Sequence, residues 1–267
     1  GTLVGSPPNA IAARAIDMDF AGWMKIGLPL MLALMPIMVV TLWLVFRPRL
    51  NRKISVPMEE IPWTTRRVLT MVVFACTALA WIFGSQVSAA LGVTAPDTFI
   101  AVTAAVAIIT LGLASWQQVS NNTDWGVLFL FGGGLTLSGL LRSSGASAVL
   151  GDQVASFLTG AGPFVIILGV TTFIIILTEF TSNTASAALL VPVFAAIAER
   201  MGMPPAVLVL MIGIGASCAF MLPVATPPNA IVYGTGQIRQ SDMVRAGAVL
   251  NVSCVIVLTL WGYFFLR

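Results

Sequence analysis

The chain has no histidine. Without imidazole there is no Ser-His or Cys-His nucleophile pair and no His-ligated zinc. An intramembrane enzyme would then need an activated serine or an aspartate pair, and no two carboxylates stand together in an apolar run, so no enzymatic activity and no organic cofactor are expected. Charge is scarce too: charged residues are 9% of the chain, against roughly 25% in a soluble domain. The 13 basic and 10 acidic residues leave a net charge of +3, too small and too scattered for a nucleic-acid surface. Of cysteine there are three, Cys76, Cys218 and Cys254. All lie in apolar runs, which reads as packing rather than as a disulfide or metal set.

What fills the chain is apolar residues, at 58%. A soluble core cannot use so much apolar surface, but a bundle of membrane helices can. Full spans are expected near 26–46, 68–84, 98–113, 124–142 and 243–265, each close to the ~20 residues a bilayer requires. Two further apolar segments, 163–199 and 205–236, are interrupted by polar or proline-rich motifs. Residues 143–160 are too polar to span and read as an interfacial helix. Trp23, Trp43, Trp63, Trp81, Trp116, Trp125 and Trp261 fall near span ends, as an aromatic belt would. The linker 47–67 carries Arg47, Arg49, Arg52, Lys53, Arg66 and Arg67, which places it in the cytoplasm by the positive-inside rule.

The chain also contains a repeat. Shifted by 220 residues, 5–27 aligns with 225–247 without a gap, and Pro7, Pro8, Asn9, Ala10, Ile11 and Gly27 meet identical residues. "TLWLVFRPR" at 41–49 likewise resembles "TLWGYFFLR" at 259–267. The crossings between the two copies sum to an even number, so the copies are expected to run in opposite directions, as in secondary transporters. On this reading 1–46 closes a first repeat whose hairpin lies upstream of Gly1. Residues 47–67 link the repeats, and 68–267 form the second. The fold class is thus an all-α integral membrane protein with inverted-topology repeats, a re-entrant hairpin over 163–199 and a broken helix over 205–236.

Two motifs carry the chemistry. In "VATPPNAIVYG", Pro227 and Pro228 donate no main-chain hydrogen bond and disfavour helix before them. The helix from 205 is expected to break near Pro223, with Asn229 capping a second half-helix. Such a break leaves carbonyls that suit a cation and N–H groups at the positive end of a helix that suit an anion. In "TEFTSNTASAALLVP", starting at Thr178, the polar cluster reads as the tip of the hairpin, with Ser182, Asn183 and Thr184 as caps. Polar residues at membrane depth are expensive and mark function by default. Glu179 is either a buried hydrogen-bonder or a charge that attracts cations, and the structural role is favoured. "FGGGLTLSG" at 131–139 lacks the Lys and Ser/Thr of a phosphate loop and reads as close helix packing. The acceptor-like "NNT" at 121 and "NVS" at 251 are discounted, one as cytoplasmic and one as inside a span.

"TSNTA" at 181–185, "ATPPNA" at 225–230 and "GSPPNA" at 5–10 resemble the paired signatures of the divalent anion:sodium symporters, the dicarboxylate and citrate carriers. The resemblance implies a sodium site built from Thr178, Thr181, Asn183 and Ala225, with Gly5 in its first-repeat counterpart. It implies substrate contacts from Ser182, Asn183, Thr184, Thr226 and Pro227, with Ser6, Pro7 and Asn9 from the other repeat. It further implies sodium-coupled symport of succinate, malate, fumarate or citrate, a homodimer, elevator-type alternating access and a bacterial inner membrane. The alternatives are a sulfate or other anion carrier, a sodium-independent exchanger, or a non-transporting fragment. The family's first Ser-Asn-Thr hairpin is absent from this chain.

Overall fold

The computed structural model describes residues 1–47, 62–123, 125–157 and 160–265. Among these the chain forms, in order, α1 (Pro7–Ala15), α2 (Phe20–Phe46), α3 (Thr65–Ile82), α4 (Gly84–Leu91), α5 (Pro96–Thr110), α6 (Trp116–Asn122), α7 (Trp125–Ser143), α8 (Ala146–Phe157), α9 (Pro163–Thr178), α10 (Asn183–Arg200), α11 (Pro205–Gly215), α12 (Pro227–Gly234) and α13 (Gln240–Phe265). A short 3-10 turn, Leu3–Gly5, precedes α1. The protein is all-helical, and α2, α3 and α13 are each long and apolar enough to cross a membrane. Most of the basic linker, including Arg49, Arg52 and Lys53, lies outside the described residues, as do the last residues of both copies of the "TLW" motif.

The chain divides into two compact units. The smaller comprises Asp19–Trp23 and Pro48–Trp125. Within it Asp97 anchors the first turn of α2: its Oδ2 accepts from Phe20 N at 3.1 Å, and its carbonyl accepts from Trp81 Nε1 at 3.1 Å. Phe20 and Trp81 stack with centroids 5.2 Å apart. Trp23, one of the tryptophans near a span end, is 2% exposed. The expected full span at 98–113 corresponds to α5, a single helix that stops at Thr110. α5 has 15 residues and meets α4 at an 87° bend, because Gly92 adopts a left-handed conformation with φ 66° that ends α4. α6 was not foreseen from periodicity. Ser115 and Gln118 form a reciprocal capping box that starts it.

The larger unit comprises Gly1–Met18, Met24–Arg47 and Gly126–Arg267. Its centre is α11, "PAVLVLMIGIG", which is apolar on every side and buried from Val207 through Gly213. α1, α9, α10 and α13 all pack on it. Gly213 admits α1, since a Cβ there would sit 2.4 Å from Ala12 Cβ. α9 and α13 run antiparallel, with Phe164 against Tyr263 at one end and Glu179 against Asn251 at the other. α8 packs on α10, where Gly151 faces the Ala196 backbone.

Candidate functional site

The polar tip sits between two helices. α9 ends at Thr178, and Ser182 caps α10, its Oγ accepting from Ala185 N at 3.3 Å. Thr178, with no exposed surface, brings its Oγ1 within hydrogen-bonding distance of Asn183 Oδ1 and 2.8 Å from Ala216 O. A hydroxyl has one proton and cannot donate to both at once. The tip therefore gathers three oxygens, two of them acceptors only. Thr181 turns to a different set: its Oγ1 bonds Leu177 O at 3.0 Å and Ser186 Oγ at 2.7 Å. Asn183 and Thr184 occupy the first turn of α10, where N–H groups have no partner within the helix.

The break is longer than the sequence implied. α11 ends at Gly215, eight residues before Pro223. The cause is Glu179, which is 3% exposed. Its Oε1 accepts from Phe220 N at 2.8 Å and Met221 N at 3.0 Å, and its Oε2 from Leu222 N at 3.1 Å. These N–H groups would otherwise continue the helix, but they instead line up as a concave anion nest around the carboxylate. Asn251 Nδ2 adds a fourth donor at 2.7 Å. Burying a carboxylate costs several kcal/mol unless it is so compensated. Glu179 thus joins the tip, the break and α13.

The second half-helix also differs from expectation. Thr226, not Asn229, caps α12, and its Oγ1 accepts from Asn229 N at 3.4 Å. The reason is that Pro227 and Pro228 occupy the first turn, where their missing N–H groups cost nothing. That leaves Asn229 free to turn back: its Nδ2 donates to Ala219 O and Leu222 O, both at 3.0 Å. The start of α12 consequently offers an anion few free N–H groups.

The segment before α1 stands beside this region. Ser6, which precedes α1, places its Oγ 2.7 Å from Ser217 Oγ. Pro7 opens α1 and is half-buried, while Asn9 is 7% exposed and donates its Nδ2 to Thr2 O at 2.8 Å. Gly5 lies next to Asn9: a Cβ on it would stand 3.3 Å from Thr2 Oγ1 and 4.0 Å from Asn9 Nδ2. Ala225 N closes a turn to Leu222 O at 3.2 Å.

So the structure brings together Thr178 and Asn183, and separately Ser6 and the end of α11. It gives Thr181 other partners, and no hydrogen bond among the described residues joins Ala225 to the tip. Sequence reasoning missed Ala216, Ser217 and Asn251. Asn251 was legible as a polar residue inside an apolar span. Ala216 contributes a main-chain carbonyl, which no side-chain pattern signals.

Residues 2–267 match the family described as the sodium:sulfate symporter transmembrane region. An uncharacterized transporter of Haemophilus influenzae is 51% identical over 99% of this chain, which covers 59% of that relative. An uncharacterized transporter of Methanocaldococcus jannaschii is 36% identical, with 60% of it covered. The sodium-dependent dicarboxylate transporter SdcS of Staphylococcus saprophyticus is 32% identical over 99% of the chain, with 55% of that protein covered. The chain therefore spans between half and two thirds of the length of these relatives.

Proposed function

The chain belongs to the sodium:sulfate symporter family of membrane transporters, and from that premise we propose that its binding region serves a sodium-coupled symporter of small dicarboxylates. It is a transporter rather than an enzyme. The observation that carries the proposal is the convergence of Thr178 Oγ1, Asn183 Oδ1 and Ala216 O at the tip. Three neutral oxygens, with no thiolate or imidazole, suit a hard cation of low charge. Thr181, Ala225 and Gly5 remain the further candidates for coordinating sodium.

The substrate is placed at the start of α10, against Ser182, Asn183 and Thr184. A helix of 18 residues directs its positive end there. Thr226, Pro227, Ser6 and Pro7 border the same region in this reading. No Arg or Lys is required, because bound sodium and the helix end together offset the charge of a dianion. The dicarboxylate preference is supported by the 32% identity to a sodium-dependent dicarboxylate transporter. The family's description names sulfate, so sulfate is the competing substrate.

The wider reading places the protein in a bacterial inner membrane as a homodimer, with inverted repeats, residues 47–67 in the cytoplasm and an elevator-like movement of the tip and break. The test is uptake of labelled succinate by the complete gene product in proteoliposomes under an inward sodium gradient. Uptake that needs sodium and is displaced by malate but not by sulfate is expected. Uptake unaffected by replacing sodium with potassium, or displaced by sulfate alone, overturns the proposal.

A further inference from the structure

The two Pro-Pro-Asn segments make the same unusual bond. Asn9 Nδ2 donates to Thr2 O at 2.8 Å, and Asn229 Nδ2 donates to Leu222 O at 3.0 Å. Thr2 and Leu222 correspond under the same shift of 220 residues that aligns the asparagines. Each of these carbonyls also closes the same tight turn, receiving Gly5 N at 3.1 Å in one copy and Ala225 N at 3.2 Å in the other. Asn229 holds Ala219 O in addition, at 3.0 Å. The bond therefore survives in two segments whose other surroundings differ.

The proline pairs remove main-chain donors close to the carbonyls that each amide holds. In a continuous helix the N–H groups at 227 and 228 would bond the carbonyls at 223 and 224, but proline has none. The unwound backbone before each proline pair thus lacks its ordinary donors. Asparagine one position later carries a side-chain N–H on a stem short enough to reach back over the prolines. It does not replace those two donors: it holds Leu222 O, which also receives Ala225 N, and Ala219 O, whose helical donor position is taken by Pro223.

We infer that Asn9 and Asn229 are positioning residues: each amide clamps the unwound backbone of its own break, fixing the turn that presents Gly5 or Ala225, and neither contacts substrate. The inference rests on the carrier reading for its functional consequence. It reassigns Asn9, which the family resemblance placed beside the substrate. The clamp itself is a property of the fold and is measurable without transport.

The experiment compares Asn229→Leu, which keeps the volume and removes the donors, with Asn229→Gln, which keeps them, and repeats the pair at Asn9. Two readouts are taken on the complete gene product in detergent and in proteoliposomes. Hydrogen exchange at the amides of Ala225 and Gly5 is expected to quicken about tenfold or more in the matching leucine variant, as loss of one hydrogen bond at Asn9 or two at Asn229 implies. Half-saturation by sodium is expected to rise about tenfold as well, while the ranking of succinate, malate and fumarate stays fixed. The glutamine variants should recover at least half of each change on a logarithmic scale. If the leucine variants fail to give monodisperse protein while the glutamine variants do, the clamp is supported. Unchanged exchange in a folded leucine variant overturns it. So does an altered substrate ranking with sodium half-saturation intact, which marks a direct substrate contact. Wild-type protein that shows no sodium-dependent uptake removes the carrier reading alone, and the exchange result still decides the clamp.

Discussion

Asn251 on α13 donates its Nδ2 to Glu179 Oε1 at 2.7 Å, across 72 residues of sequence and with both side chains buried. The bond ties the end of α9 to the middle of α13, and through the same carboxylate to the backbone at Phe220, Met221 and Leu222. One acidic side chain therefore fixes the relative placement of the turn between α9 and α10, the segment that follows α11, and α13. The amide of Asn251 can face the carboxylate only with its nitrogen, which leaves its Oδ1 buried with no hydrogen-bond partner among the described residues.

Glu179→Gln should destabilise the protein severely. The new amide nitrogen would face main-chain N–H groups that now donate to a carboxylate oxygen, leaving buried donors unpaired at roughly 1–3 kcal/mol each. The expected outcome is loss of monodisperse protein after detergent extraction, measured by size-exclusion chromatography. A wild-type elution profile and melting temperature would show that the carboxylate is not the joint described.

Gly247→Ala should disrupt the break from the α13 side. A Cβ there would lie 2.4 Å from Phe220 O and 2.6 Å from Met221 Cα. Main-chain atoms held by Glu179 cannot swing aside as a flexible side chain can. Gly169→Ala on α9 is the control, because a Cβ there meets nothing within 4 Å among the described residues and alanine favours helix by about 1 kcal/mol. The first variant should melt well below wild type and the second at or above it. Equal melting temperatures would contradict the packing.

Thr178→Val removes a hydroxyl and keeps the branched shape. It should abolish the rise in melting temperature produced by sodium chloride over choline chloride, while Thr178→Ser preserves it. A valine variant that titrates with sodium as wild type does would place the ion elsewhere than among Thr178, Asn183 and Ala216.

Ser6→Cys with Ser217→Cys, in a background lacking the three native cysteines, should form a disulfide under mild oxidation. The two hydroxyl oxygens are 2.7 Å apart, which brings the side chains within the reach of an S–S bond. Failure to cross-link in folded protein would mean that α1 does not sit against the end of α11.

Asn183→Ala should nearly abolish sodium-driven succinate uptake by the complete gene product at unchanged expression, since it removes one oxygen of the tip and the first side chain of α10. Uptake within about twofold of wild type, a difference of less than 0.5 kcal/mol, would take Asn183 out of the site.

What the sequence determined on its own was whatever follows from local chemistry and repetition. Hydropathy set the class. Prolines at 227 and 228 forced a break, because their missing N–H groups are a property of the residue and not of its surroundings. Ser182 announced the start of α10 in the same way. The shift of 220 residues was visible as identities, and it carries through to matched hydrogen bonds at Asn9 and Asn229. Tertiary structure decided how far the break extends and which groups it leaves free. Those depend on a carboxylate 41 to 43 residues away from the N–H groups it receives. The contribution of Ala216 is a carbonyl, identical in every residue type, and only folding puts it 2.8 Å from Thr178. The bend between α4 and α5 was likewise settled by backbone geometry at Gly92, and the cap of α12 by the Oγ1 of Thr226. Apolar periodicity cannot register either, because it reports which residues prefer lipid or core and not where their hydrogen bonds end.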